Sequence, residues 1–138
     1  MMNSAILQPV FALAGWTGLV LLTVPARRIA AARRGEVRLD DFRYGESERV
    51  PDWARLANRN YMNLLELPLL FYVACLMLFT AQAATATLVA TAWLYVALRI
   101  VHSLIHLSYN KVLHRFSVFV ISNIVLVLLW FQAGLALL

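Results

Sequence analysis

Long uncharged stretches alternate with short charged ones along the chain. Residues 6–26, 67–98 and 116–138 carry no Asp, Glu, Lys or Arg. Residues 6–26 are rich in Leu, Val and Ala and just long enough to cross a hydrocarbon core of about 30 Å as a helix. Pro25 and the pair Arg27-Arg28 are expected to end that span. The stretch 67–98 holds 32 positions, too many for one ordinary span. It must therefore turn, and its least apolar piece, residues 80–87 (TAQAATAT), is the place for the turn. The expected spans cover about 6–26, 55–79, 88–110 and 116–138, with KVLHR as a short connector before the last. The predicted fold is a single-domain, all-α, integral membrane four-helix bundle. Residues 27–54 contain most of the charge of both signs, with Gly35 and Gly45 between, and read as a solvated loop.

Polar positions inside the second span follow a helical period. Residues 55–68 read RLANRNYMNLLELP, and at about 100° per residue Arg55, Arg59, Asn63 and Glu66 share one face. The third span has a stripe of its own: Arg99, His102, Ser103, His106, Tyr109 and Asn110. Facing each other, the two stripes would line a polar cleft opening to the basic side. Glu66 and Arg99 are the only formal charges well inside the spans. Each lies roughly 15–18 Å from that side at 1.5 Å per residue, so an ion pair between neighbouring helices can form at matched depth.

Composition strengthens the membrane reading, since 62% of the 138 residues are hydrophobic and the mean hydropathy is +0.74. The net charge of +5 would suit a nucleic-acid binder if the charges were spread over one face. Instead, nine of the twelve basic residues lie between Arg27 and Arg59, and Lys111 and Arg115 form a second group. Short loops rich in Lys and Arg stay inside, so both basic loops are expected in the cytoplasm and both termini outside. The N-terminus MMNSAILQP lacks the positive region of a secretory signal, so residues 6–26 are expected to be retained. The only cysteine, Cys75, excludes an internal disulfide framework and reads as a small packed hydrophobe.

The cleft would hold Arg55, Arg59, Arg99 and Arg115 against one carboxylate. Its excess positive charge fits an anionic ligand with several polar arms better than a metal ion. Blander readings compete. Arg55 and Arg59 can be snorkelling interface residues. Glu66 with Arg99 can be a purely structural pair. His102 and His106 have the i, i+4 spacing of a metal pair, but no HExxH pattern or third ligand accompanies them. Three function classes stay open: a membrane enzyme using the cleft, a non-catalytic protein holding a lipid headgroup or anionic metabolite there, and a proton-coupled exporter using Glu66.

The string RLANRNYMNLLELPLLFY, with its RxxxRxxxNxxExP pattern, resembles the second-helix signature of the MAPEG family, membrane-associated proteins in eicosanoid and glutathione metabolism. RIVHSLIHLSYNKVLHR resembles that family's third helix, with an arginine, a histidine three residues later and a further arginine soon after the helix. The resemblance is closest to small bacterial members and implies a bacterial inner-membrane location. It implies a homotrimer that binds glutathione and acts as a transferase or peroxidase on lipophilic electrophiles or hydroperoxides. It further implies that Arg59, Asn63 and Glu66 hold the peptide, with Glu66 receiving its amino group. Arg99 and His102 would complete the polar floor, and Arg27 would reach a carboxylate from the first helix. Arg115 would stand beside the sulfur as the catalytic group. His106 occupies a position where active members commonly carry tyrosine.

Overall fold

The computed structural model describes residues 2–138, and every regular element among them is helical. A short helix α1 (Met2–Ala5) leads into α2 (Leu7–Arg33). Helices α3 (Asp52–Leu65) and α4 (Pro68–Thr80) form one broken rod, followed by α5 (Ala86–Leu107) and α6 (Val112–Leu137). Four rods are long and apolar enough to cross a bilayer: Asn3–Arg33, Asp52–Thr80, Ala86–Leu107 and Val112–Leu137. The protein is an all-α, four-span integral membrane protein.

Three boundaries differ from the sequence expectation. Helix α2 does not stop at Pro25 but continues through it to Arg33. Proline deprives only the carbonyl four residues earlier of a donor, and the following run of Ala and Arg consists of strong helix formers. The helix ends instead at Gly35, whose φ of 74° closes a turn with Gly35 N–H on Ala32 O and Glu36 N–H on Ala31 O. Helix α6 begins at Val112, so four of the five KVLHR residues are helical and Asn110, at φ 47°, makes the turn. The third difference bears on function. The second rod breaks at Glu66 (φ −76°, ψ −98°) because Pro68 cannot donate to the Leu64 carbonyl and its ring crowds that turn. Pro68 then starts α4, a position where its missing N–H costs nothing. The turn expected within residues 80–87 falls between Thr80 and Ala86, with Thr85 capping α5 through its hydroxyl, which accepts from Leu88 N–H at 3.3 Å.

One apolar core joins the rods, built from Leu13, Val20, Leu64, Phe71, Tyr95, Val96 and Leu129 among others. Phe71 and Tyr95 stack with ring centroids 4.9 Å apart, and Cys75 is buried beside them. Phe11, Leu19, Leu69, Val127 and Phe131 point outward, as a lipid-facing surface requires. Deep in the bundle, Asn60 donates to Ser103 Oγ at 2.6 Å and ties α3 to α5.

The charged segment between α2 and α3 is folded rather than loose. Val37 and Val50 bury against Ala31 and Ala54, with Phe42 and Trp53 over them. Arg28 bridges to Glu46 at 3.1 Å and lies 4.8 Å from the Phe42 ring centre, while Arg34 lies 5.0 Å over Trp53. Asp41 accepts from Arg38 N–H and from Ser47 Oγ, each at 2.8 Å. These two bonds hold the Asp41 carboxyl below its ordinary value of 3.8, the Arg38 N–H contributing most. A depressed carboxyl stabilises the fold fully above the unfolded value and loses that contribution as pH falls through the folded one. The Asp41 carboxyl carbon resonance is therefore expected to titrate below pH 3.8 in the native protein and near the ordinary value in an unfolded peptide of the same segment. A native midpoint at or above 3.8 would contradict the capping role.

Candidate functional site

A hollow of about 450 Å³ opens between α3, α5 and α6. From α3 it receives Asn58, Arg59, Met62 and Asn63, with Glu66 at the break. Helix α5 contributes His102 and His106, and the first turns of α6 contribute Val112, Arg115, Phe116 and Phe119. Five of the predicted site residues, Arg59, Asn63, Glu66, His102 and Arg115, thus share one cavity. Its volume lies within the roughly 300–1,000 Å³ typical of small-molecule clefts.

The helix break shapes this hollow. An unbroken helix would send the Leu67 N–H to the Asn63 carbonyl, but that bond is missing from the backbone pairs of the described residues. Arg99, fully buried, donates from Nη2 to the Asn63 carbonyl at 2.6 Å instead. The ion pair anticipated between Arg99 and Glu66 is consequently absent: among the described residues the pairs are Arg28–Glu46 and Arg43–Asp40. The break leaves Glu66 exposed at the edge of the hollow and frees the Asn63 carbonyl for the guanidinium. Arg99 lies behind the wall of the hollow and stabilises the turn that presents Asn63 and Glu66. Its guanidinium carbon is also 5.7 Å from the centre of the Phe119 ring.

Arg115 is held by its neighbour, donating from Nη1 to Asn110 Oδ1 at 2.6 Å. The left-handed backbone at Asn110 makes this geometry accessible, because the turn folds the amide side chain back over the start of α6. His102 and His106 meet edge to face with centroids 5.8 Å apart, and His102 is 5.8 Å from Phe119. Among the described residues no cluster of three His, Cys, Asp or Glu side chains could hold a metal. Tyr109 lies outside the hollow, 3.1 Å from His114 Nδ1 through its hydroxyl.

Arg27 and Arg55 are also outside it. Arg27 donates to the carbonyls of Trp53 (2.6 Å) and Leu107 (3.2 Å), fastening α2 to the start of α3 and the end of α5. Arg55 donates to the Ser47 carbonyl at 2.5 Å. Sequence reasoning missed Phe116 and Phe119, although Phe119 stands one helical turn beyond Arg115 and that spacing could have found it. Asn58 and Met62, again four residues apart, form the rim that the polar stripe alone did not define.

Buried polar atoms without a protein partner occur in several places among the described residues; those at this hollow are Nδ1 of His102 and both ring nitrogens of His106, with Nε and Nη1 of Arg99 behind its wall. Such atoms are costly unless water or another group satisfies them, and the two histidines place three of them at the wall of this cavity. The lining offers two guanidinium groups, from Arg59 and Arg115, and one carboxylate, from Glu66.

Comparison with curated proteins and with solved structures returned no match to this chain. Comparison with family models matched the MAPEG family over residues 6–135, nearly the whole length. The four membrane rods, the arginine-rich cleft and this match lead to one conclusion: the chain belongs to the MAPEG family, whose members are membrane proteins of glutathione and eicosanoid metabolism.

Proposed function

We propose that the protein is a glutathione-dependent transferase or peroxidase acting on lipophilic electrophiles or hydroperoxides, and that it works as a homotrimer. The observation that carries this reading is the charge pattern of the hollow. Glutathione carries two carboxylates and one ammonium group; the hollow presents two guanidinium groups and one carboxylate, none of which is spent in an ion pair within the described chain. Glu66 then meets the ammonium, Arg59 a carboxylate, and Arg115 is left for the sulfur, each a contact of opposite charges.

In this reading Arg59 and Asn63 hold the peptide along one face of α3, and Glu66 accepts the ammonium group. His102 and His106 supply hydrogen bonds from the α5 wall. Glutathione supplies a thiol, which reacts as its thiolate. Arg115, fixed by Asn110, holds negative charge at the sulfur without having to reorganise. Phe116 and Phe119 give that end of the cavity an apolar wall. The basic loops face the cytoplasm, where glutathione is available, and the lipophilic partner arrives through the bilayer.

Titration calorimetry on the detergent-purified protein tests the binding step. Saturable glutathione binding is expected, weakened about ten- to a hundredfold in Glu66→Gln, because a hydrogen bond to a charged group contributes about 1.5–3 kcal/mol. The opposite pattern, no heat with glutathione but binding of glycerol phosphate unaffected by Glu66→Gln, would replace the enzyme reading with that of an anion-binding membrane protein.

A further inference from the structure

A second cleft, of about 480 Å³, lies on the outer side of α2 where that helix leaves the membrane. Its floor is Leu21, Val24 and Ile29 from α2, and its roof is Val37, Leu39 and Phe42 from the folded charged segment. Arg28 and Arg38 stand at its edge. We propose that this cleft is a binding site for an anionic glycerophospholipid of the basic-side leaflet, with an acyl chain along the apolar floor and the phosphate at the two arginines. The proposal stands apart from the glutathione reading, because the two clefts share no residue.

Position along α2 is the first argument. At 1.5 Å per residue, Leu21 stands about 21 Å and Arg28 about 32 Å from the start of the helix at Leu7. With a hydrocarbon core of about 30 Å, the floor ends at the chain region and the arginines stand at phosphate level. One cleft therefore crosses the boundary that a phospholipid itself crosses. No soluble anion needs such a floor.

Charge complementarity is the second. Arg28 is already shared with Glu46 at 3.1 Å and braced on Phe42, which fixes its direction. Arg38 makes no ion pair among the described residues, and its backbone is locked by the Asp41 cap. The edge thus combines one oriented and one available guanidinium, a pattern suited to phosphate. Exposure is the third argument. Leu39, the residue after Arg38, is 93% exposed on a short 3₁₀ turn, Leu39–Phe42, that the two Asp41 bonds hold in place. A leucine so placed at the membrane boundary buries its side chain by entering the lipid.

Native mass spectrometry of the full-length protein, released from detergent containing dioctanoyl phosphatidylglycerol or dioctanoyl phosphatidylcholine, tests this. Each basic group near an anionic lipid contributes about fivefold in affinity. The glycerol lipid is therefore expected to be retained roughly five- to twentyfold better than the choline lipid. Arg38→Gln is expected to lower that ratio about fivefold, and Leu39→Asp to weaken both lipids. Arg43→Gln, whose guanidinium faces Asp40 away from the cleft, is expected to behave as wild type. Equal retention of the two lipids, or Arg38→Gln indistinguishable from wild type, would overturn the proposal. So would displacement of the lipid by an equal concentration of free glycerol phosphate. A change of oligomeric state in Leu39→Asp with lipid retention unaltered would give the cleft to a second copy of the chain instead.

Discussion

Replacing Arg115 with alanine is expected to abolish the ultraviolet thiolate absorbance that glutathione develops in the wild-type protein, and to lower turnover about 10²–10³-fold. An ordinary thiol has a pKa near 8.5 and is mostly protonated at neutral pH. Ionising it requires positive charge already in position, and the 2.6 Å bond to Asn110 Oδ1 aims the Arg115 guanidinium before any ligand enters. Removing one fixed donor from such a site typically costs about 2.7–4 kcal/mol, the origin of the stated range. Arg115→Lys keeps the charge but not the planar fork that Asn110 grips, so an intermediate loss is expected. Undiminished thiolate absorbance in Arg115→Ala would show that another group ionises the sulfur. Binding of glutathione itself, read by calorimetry, is expected to change far less than turnover.

Arg99→Met should separate stability from binding. The guanidinium is fully buried and makes a single hydrogen bond, to the Asn63 carbonyl, while Nε and Nη1 have no protein partner. Burying a charge costs several kcal/mol after relaxation. The one charge-assisted bond returns about 1.5–3 kcal/mol, and the approach to the Phe119 ring adds about 0.5–2 kcal/mol. Methionine has a similar reach, carries no charge and leaves one carbonyl unsatisfied, at about 1–3 kcal/mol. The costs nearly balance, so the thermal midpoint is expected to stay level or rise. Glutathione affinity is expected to fall tenfold or more, because the turn presenting Asn63 and Glu66 loses its tether. A midpoint lowered by more than roughly 10 °C would refute the balance of costs, and unchanged affinity would refute the tether.

Much of this architecture was legible in residue order. Uncharged runs of membrane length fixed four rods, and the absence of charge across residues 67–98 demanded a turn where one is found. The period of Arg59, Asn63 and Glu66 on one helix and the stripe bearing His102 on the next, with Arg115 added by the family resemblance, named five side chains that line one hollow. What escaped depends on backbone groups that side-chain patterns do not report. Pro68 was visible, yet a continuous helix was expected through it, and the freed Asn63 carbonyl that captures Arg99 follows only from the break. The charged segment is solvated as read, with most of its charged residues exposed, but its packing was not foreseen. Val37, Val50 and Trp53, too few to form a periodic pattern, fold it onto α2 and α3. Arg27 illustrates the same limit, since its partners are two main-chain oxygens from distant parts of the sequence.

The interruption after Leu65 has one more effect, on how the molecule meets membranes of unequal thickness. Helix α3 is pinned to α5 by Asn60 and Ser103 and by the Arg99 contact, whereas α4 is joined to it only through the non-helical pair Glu66-Leu67 and its own packing. A hydrophobic rod accommodates mismatch by tilting. In a thin or thick bilayer the tilt is therefore expected to fall on α4, while the half-rod bearing Arg59 and Asn63 keeps its register against α5.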